Sequence, residues 1–266
     1  MSISKFTGKT VWITGASSGI GEALAKCFAS AGSRLILSAR RENELRRVAA
    51  LCSSAAPVSI LPLDLSRPEC IDEAVHHALS TAGHIDIMVD NAGISQRAFA
   101  SDTNFEVDER LMRTNYLGPV ALTKALLPSM RERRRGQFIV VTSVLGKIGL
   151  PGRSGYCASK HALHGFFDTL RAELSQDGID VLLVLPGWVR TNVSLNSLTG
   201  DGSPHGKMDP GTAGGMTAEE CAARIVSAAE SGKQEIHPVR MTERLALEVN
   251  RFAPGLFRRF IRGRKI

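Results

Sequence analysis

No uninterrupted apolar stretch in the sequence reaches the ~18–20 residues that a membrane-spanning helix needs. The N-terminus has no apolar signal core either, because Lys5, Lys9 and Thr10 interrupt it. Both absences point to a cytoplasmic chain. The five cysteines, Cys27, Cys52, Cys70, Cys157 and Cys221, are scattered, odd in number and without CxxC spacing. That pattern argues against a disulfide framework and a zinc site, and for small buried thiols in a reducing compartment, so no metal is expected. Internal repeats are not visible. Tyrosine is scarce, with only Tyr116 and Tyr156 present. What remains is globular: 43% of residues are hydrophobic and 22% charged, which excludes a disordered or fibrous chain. Its 266 residues suffice for one large α/β domain or two small ones.

Short β-rich runs alternate with longer helical patterns. Strands are predicted at Val11–Thr14, Arg34–Ser38, Val58–Leu61, Ile85–Val89, Phe138–Thr142 and Val181–Leu185. Helices are predicted at Gly19–Ala31, Glu42–Leu51, Pro68–Ser80, about Val107–Arg133 and about Ser154–Ser175. The alternation implies βαβ units in a Rossmann-type, doubly wound parallel sheet of about seven strands with helices on both faces. It runs to about residue 236 without a linker, so 1–266 is read as one domain. Residues 187–216 are rich in Gly, Ser, Thr, Asn and Asp, with Pro204 and Pro210. A loop of that length at the carboxyl side of the sheet is expected to be a flexible substrate lid.

Thr14-Gly15-Ala16-Ser17-Ser18-Gly19-Ile20-Gly21 joins the first strand to the first helix. Glycines there let the backbone approach a pyrophosphate, which the helix N-terminus attracts through free N–H groups and its dipole. Folds that bind NAD usually place an acid about 20 residues later, at the end of the second strand, to hold the ribose 2′-hydroxyl. Here that position is Ala39, followed by Arg40 and Arg41. The Arg40 guanidinium suits a 2′-phosphate, and Ser17 adds a hydroxyl, so NADP(H) is expected over NAD(H).

Tyr156 and Lys160 sit four apart at the start of a predicted helix and share a face. A tyrosine titrates near 10, and lowering that to about 7 needs roughly 4 kcal/mol. A cation ~4 Å away supplies about that much at an effective dielectric of ~20, so Lys160 and an oxidised nicotinamide are expected to activate Tyr156 as acid/base. Ser143 follows a strand end and is placed to hydrogen-bond the reacting oxygen. Asn115 lies four residues before Pro119, which has no N–H to offer its carbonyl. The expectation is a kinked helix whose freed carbonyl holds a proton-relaying water, or a purely structural kink.

These residues together resemble the short-chain dehydrogenase/reductase superfamily in its compact single-domain form. The motifs are Gly15/Gly19/Gly21, Asn91-Ala92-Gly93, Asn115, Ser143, Tyr156/Lys160 and Pro186-Gly187. The resemblance implies a proton-transfer tetrad of Asn115, Ser143, Tyr156 and Lys160, with Lys160 also on the nicotinamide ribose. It implies cofactor contacts from Gly15, Ser17, Ser18, Gly19, Ile20 and Gly21. Asp64 and Leu65 would lie at the adenine, and Asn91, Ala92 and Gly93 at its ribose. Pro186, Gly187, Val189 and Thr191 would meet the nicotinamide. Asp90 departs from the family, which often has Asn there. A narrower likeness, in Asn115-Tyr116-Leu117-Gly118-Pro119, Ser159-Lys160-His161-Ala162 and Asp201-Gly202-Ser203, is to hydroxysteroid dehydrogenases and acyl-dihydroxyacetone-phosphate reductases. It implies bulky, lipid- or steroid-like substrates, to which Ser143, Leu145, Tyr156 and Trp188 would contribute. That branch usually carries an N-terminal membrane anchor in animals, and none is read here.

The expected activity is therefore NADP(H)-dependent interconversion of a ketone or aldehyde with an alcohol. The alternative is an NADP-binding regulatory or scaffold protein without turnover. A homodimer or homotetramer is expected through the helices at 107–133 and 154–175, and a nucleic-acid partner is not. The formal charge of +7 is concentrated: Arg251–Ile266 has six basic residues and no acid, which leaves +1 for residues 1–250. Pro254 opens a basic amphipathic segment in 251–266, with Leu256, Phe257, Phe260 and Ile261 against Arg258, Arg259 and Arg262. Its readings are peripheral membrane contact through 254–266, packing on the enzyme or a partner subunit, or a frayed tail.

Overall fold

The protein, seen as a computed structural model, is described for residues 4–52 and 56–262. Arg264 and Lys265, two of the six terminal basic residues, lie outside the described residues. Seven strands form one sheet: β1 (Thr10–Thr14), β2 (Arg34–Ser38), β3 (Val58–Ile60), β4 (Ile87–Asp90), β5 (Gly136–Val141), β6 (Ile179–Val184) and β7 (Glu235–Ile236). Their order is β3-β2-β1-β4-β5-β6-β7, and every pair is parallel. Strands covered on both faces need apolar residues at successive positions. β1 has that property, with all five residues of TVWIT buried.

Alternate side chains divide between two cores, as the two-residue period of a strand dictates. Val11, Ile13, Leu35, Leu37, Val89, Ile139 and Leu182 face α1 (Gly19–Ser30) and α8 (Ala218–Glu230). Trp12, Ile36, Met88, Phe138, Val140 and Leu183 face α3 (Ile71–Ala82), α5 (Gly118–Glu132) and α6 (Ser154–Glu173). Buried Trp12 satisfies its indole N–H on Ser38 Oγ at 2.8 Å. Strand order reverses between β1 and β4, which opens a crevice at their carboxyl ends.

The single helix expected over Val107–Arg133 is divided. α4 (Phe105–Met112) passes into a π-helical turn at Arg113–Leu117 and then into α5, with Pro119 in its first turn. The missing proline N–H thus widens the helix by one residue. α2 (Glu42–Leu51) follows expectation, and a 3₁₀ turn at Pro68–Cys70 precedes α3. The segment expected to be a loose lid has its own scaffold. Bridges pair Gln96 with Leu198, Val189 with Met216 and Leu198 with Pro204, and α7 (Pro210–Ala213) is helical. The chain ends in α9 (Met241–Phe252) and α10 (Pro254–Ile261), which pack on each other.

Candidate active site

The glycine loop is built by close approach. Gly15 and Gly19 have φ of +64° and +58°, a region glycine enters without steric cost. A Cβ on Gly21 would lie 2.2 Å from the Gly15 carbonyl oxygen, so only glycine lets α1 start so near the loop. Asn91 secures it from the neighbouring strand: its Nδ2 donates to Thr14 O at 2.9 Å, and its backbone N–H donates to Thr14 Oγ1 at 3.1 Å. The loop backbone leaves an open cradle at the start of α1, as a pyrophosphate site requires.

At the end of β2, Ser38, Ala39, Arg40 and Arg41 line the same cavity, together with Ser17, Asp64 and Leu65. Arg41, which the motif reasoning passed over, is the arginine whose Nη2 reaches Ser17 Oγ, at 3.4 Å. Asp64 is held by its neighbours, accepting from Ser66 N at 3.0 Å and Ser66 Oγ at 2.8 Å. This end of the cavity offers cationic forks and a hydroxyl, with no acid at position 39.

Ser143 caps the turn after β5 and accepts from Leu145 N at 3.1 Å. Tyr156 and Lys160 project from the first turns of α6, and Lys160 Nζ lies 5.9 Å from the phenol ring centroid. The ammonium also donates to Val141 O at 3.0 Å and is only 4% exposed. Burial pulls Lys160 down to about 8, against the opposing pull of Asp90. Asp90, at the end of β4, is 3% exposed, and burial pushes its carboxyl up while the Lys160 charge pulls it down. The Tyr156 phenol faces the cavity. Burial pushes it up to about 12, and hydrogen bonding with Ser143 offsets only part of the rise. Without a nicotinamide ring beside it, the phenol keeps its proton at neutral pH.

Asn115 is fully buried and works through its side chain. Oδ1 accepts from Ile94 N at 2.8 Å, while Nδ2 donates to Ile94 O at 2.9 Å and Ser159 Oγ at 3.0 Å. Ser159 Oγ in turn donates to Tyr156 O at 2.8 Å. The π turn thus ties the loop after β4 to the helix that carries Tyr156.

One cavity of about 1220 Å³ is lined by Gly15, Ser17, Ser18, Gly19, Ile20, Asn91, Ala92, Gly93, Ser143, Tyr156 and Lys160. Pro186, Gly187, Val189 and Thr191 line it as well. Of the site residues named from sequence, Gly21 and Asn115 are not in its wall; both act from behind it. The far end is apolar, with Val144, Leu145, Ile148, Leu150 and Trp188, and includes side chains of α9 and α10 that no motif announced. Glu243 of α9 is another unannounced wall residue. It is 9% exposed, sits beside Gly187, and accepts from its own cap at Arg240 N, 2.8 Å away. In the 187–216 segment, Asp209 pairs with both Arg97 and Arg153.

A family model described as short chain dehydrogenase matches residues 9–200. Dehydrogenase/reductase SDR family member 7B of Xenopus tropicalis is 45% identical over 261 residues, covering 96% of this chain and 84% of the relative. The SDR family protein 7-like of Drosophila melanogaster is 44% identical over 259 residues, covering 96% and 79%. Among solved structures, a Streptomyces avermitilis short-chain dehydrogenase superposes with TM-score 0.81 at 28% identity, over 97% of this chain and 98% of that one. An alcohol dehydrogenase of Thermococcus sibiricus, complexed with 5-hydroxy-NADP, gives 0.75 at 27%, over 86% and 95%. Matching the cavity's glycine loop and its Ser143, Tyr156 and Lys160 cluster, these likenesses establish that the chain belongs to the short-chain dehydrogenase family of oxidoreductases.

Proposed function

We propose that the protein interconverts a carbonyl and an alcohol on a bulky apolar substrate, with NADP(H) as cofactor and Tyr156 as the acid/base. One observation carries this reading: a single cavity joins a dinucleotide cradle, a Ser143–Tyr156–Lys160 cluster and an apolar end. The glycine loop, Asn91 to Gly93, Lys160 and the 186–191 segment would hold the nicotinamide cofactor, which would supply or accept the hydride when bound.

The residues do the rest. Ser143 and the Tyr156 phenol orient the reacting oxygen. A phenol near 12 is protonated at neutral pH and serves as donor when a carbonyl is reduced. The charge it leaves behind lies beside the Lys160 ammonium, whose Nζ is 5.9 Å from the phenol ring centroid, and a cation there favours the ionised phenol. Asn115 keeps α6, and so the phenol, in place. Arg40, Arg41 and Ser17 select the 2′-phosphate. Self-association through α5 and α6 belongs to the same proposal, and light scattering tests it.

Ketone and secondary-alcohol turnover, followed by absorbance of the reduced cofactor, is the direct test. Tyr156→Phe is expected to remove turnover and leave the cofactor's dissociation constant within about threefold, because only a hydroxyl is lost. Unchanged turnover in that variant refutes the mechanism. Tighter binding of NAD(H) than of NADP(H) refutes the cofactor assignment, and a wild type that binds NADP(H) but turns over no carbonyl or alcohol favours a regulatory role.

A further inference from the structure

The basic amphipathic terminus meets the apolar end of the cavity. On α10, Phe257 is 5% exposed and packs with Val144, Leu145 and Ile148, while Leu256 and Phe260 sit at the cavity mouth, 61% and 62% exposed. On α9, Met241, Leu245 and Phe252 are 76%, 62% and 75% exposed. At 100° per residue those three fall within about 40° of one another, so they form one stripe. Among the described residues, these two helices hold five of the eleven exposed large apolar side chains. The charged residues exposed on and just beyond the same helices are Arg244, Arg251, Arg258, Arg259 and Arg262, against a single acid, Glu248.

We propose that the α9–α10 face docks on an anionic lipid surface and takes the apolar substrate from it through the cavity mouth. The proposal rests on the apolar-substrate reading above and adds the place from which that substrate comes. Charge complementarity favours lipid: five arginines around a protruding apolar stripe match a negatively charged headgroup layer over hydrocarbon. Continuity supports it, because Leu245, Leu256 and Phe260 belong both to the exposed face and to the cavity wall. A substrate moving from bilayer to cavity along them never crosses open water.

The test floats the full-length protein with vesicles of phosphatidylcholine, with and without phosphatidylserine. The expected result is flotation with the anionic vesicles that weakens as salt is raised. Arg258→Glu with Arg259→Glu is expected to cut partitioning by about 25-fold or more, since each arginine near an anionic surface adds about fivefold. That pair is not in the cavity wall, so kcat and KM for a water-soluble ketone should hold. Leu256→Glu with Phe260→Glu should also abolish flotation and should raise KM for a long-chain, vesicle-embedded ketone. Cofactor affinity of each variant verifies folding. Wild type that stays with the bottom fractions, or flotation unchanged by both variants, overturns the proposal. So does a dimer that Leu256→Glu with Phe260→Glu converts to monomers, because a second copy then covers the face. Flotation requires no turnover, so failure of the proposed chemistry and failure of lipid docking are read separately.

Discussion

Gly21 and Asn115 stand outside the cavity, yet the site depends on both. A methyl group on Gly21 would press on Gly15 O at 2.2 Å and Asn91 Nδ2 at 2.6 Å, and neither can retreat without opening the loop. Gly21→Ala is expected to cost about 1–3 kcal/mol of stability, the usual penalty of overpacking. It should also weaken NADP(H) at least tenfold, as titration calorimetry would show. Tyr156 sets the pH response. With the phenol near 12 and Lys160 near 8, reduction should be flat in kcat/KM from pH 6 to 7, and alcohol oxidation should climb with pH, because only the ionised phenol takes up the proton. An oxidation profile that falls between pH 7 and 9 would contradict this. At this scale the sequence was most informative, because glycine spacing and the Tyr156/Lys160 interval are local and need no folding to be read. Arg41 was less legible than Arg40: which of two adjacent arginines turns toward Ser17 depends on where β2 ends and α2 begins.

Among the elements, the π turn at Arg113–Leu117 has the clearest functional consequence. Pro119 leaves the Asn115 carbonyl without its i+4 donor, and the widened turn presents the Asn115 side chain to Ile94 and Ser159. Pro119→Ala restores the missing N–H and allows an unbroken α-helix. The expected outcome is a loss of about tenfold in kcat with a smaller change in stability, since a small misplacement of the reacting geometry is costly to rate. An unchanged kcat would show that the π turn is independent of that proline. The sequence located the disturbance but not its form, because proline excludes one hydrogen bond without choosing between a bend and an inserted residue. Within residues 187–216, one acid holds two cations. Arg97 and Arg153, 7% and 5% exposed, share Asp209. Asp209→Ala leaves two buried cations without that partner and is expected to cost about 3 kcal/mol, the usual cost of breaking a buried pair. It should also loosen the 187–216 segment, measurable as lower Tm and, if that segment covers the substrate, as raised KM.

Over the whole molecule, charge and protonation decide behaviour more than any one contact. His164, 5% exposed and 3.2 Å from Thr142 Oγ1, is held near 4 by burial, below its ordinary 6.5. The unfolded chain therefore takes up a proton on this histidine between pH 6.5 and about 4 that the folded one refuses. Its contribution to stability is complete above 6.5 and lost as pH falls through that window, by up to about 3 kcal/mol. His164→Gln should flatten that part of the acid limb of the stability curve relative to wild type, as thermal melts across pH 4–7 would reveal. By itself the sequence determined the α/β alternation, the glycine loop, the missing acid at Ala39 and the concentration of charge in the last residues. All of these are set by local composition and spacing along one chain. Tertiary structure alone decided that α9 and α10 wall the cavity, that Asn115 anchors α6 and that burial raises Tyr156. Each depends on residues distant in sequence meeting in a low-dielectric interior, where packing and desolvation, rather than neighbours along the chain, fix position and charge.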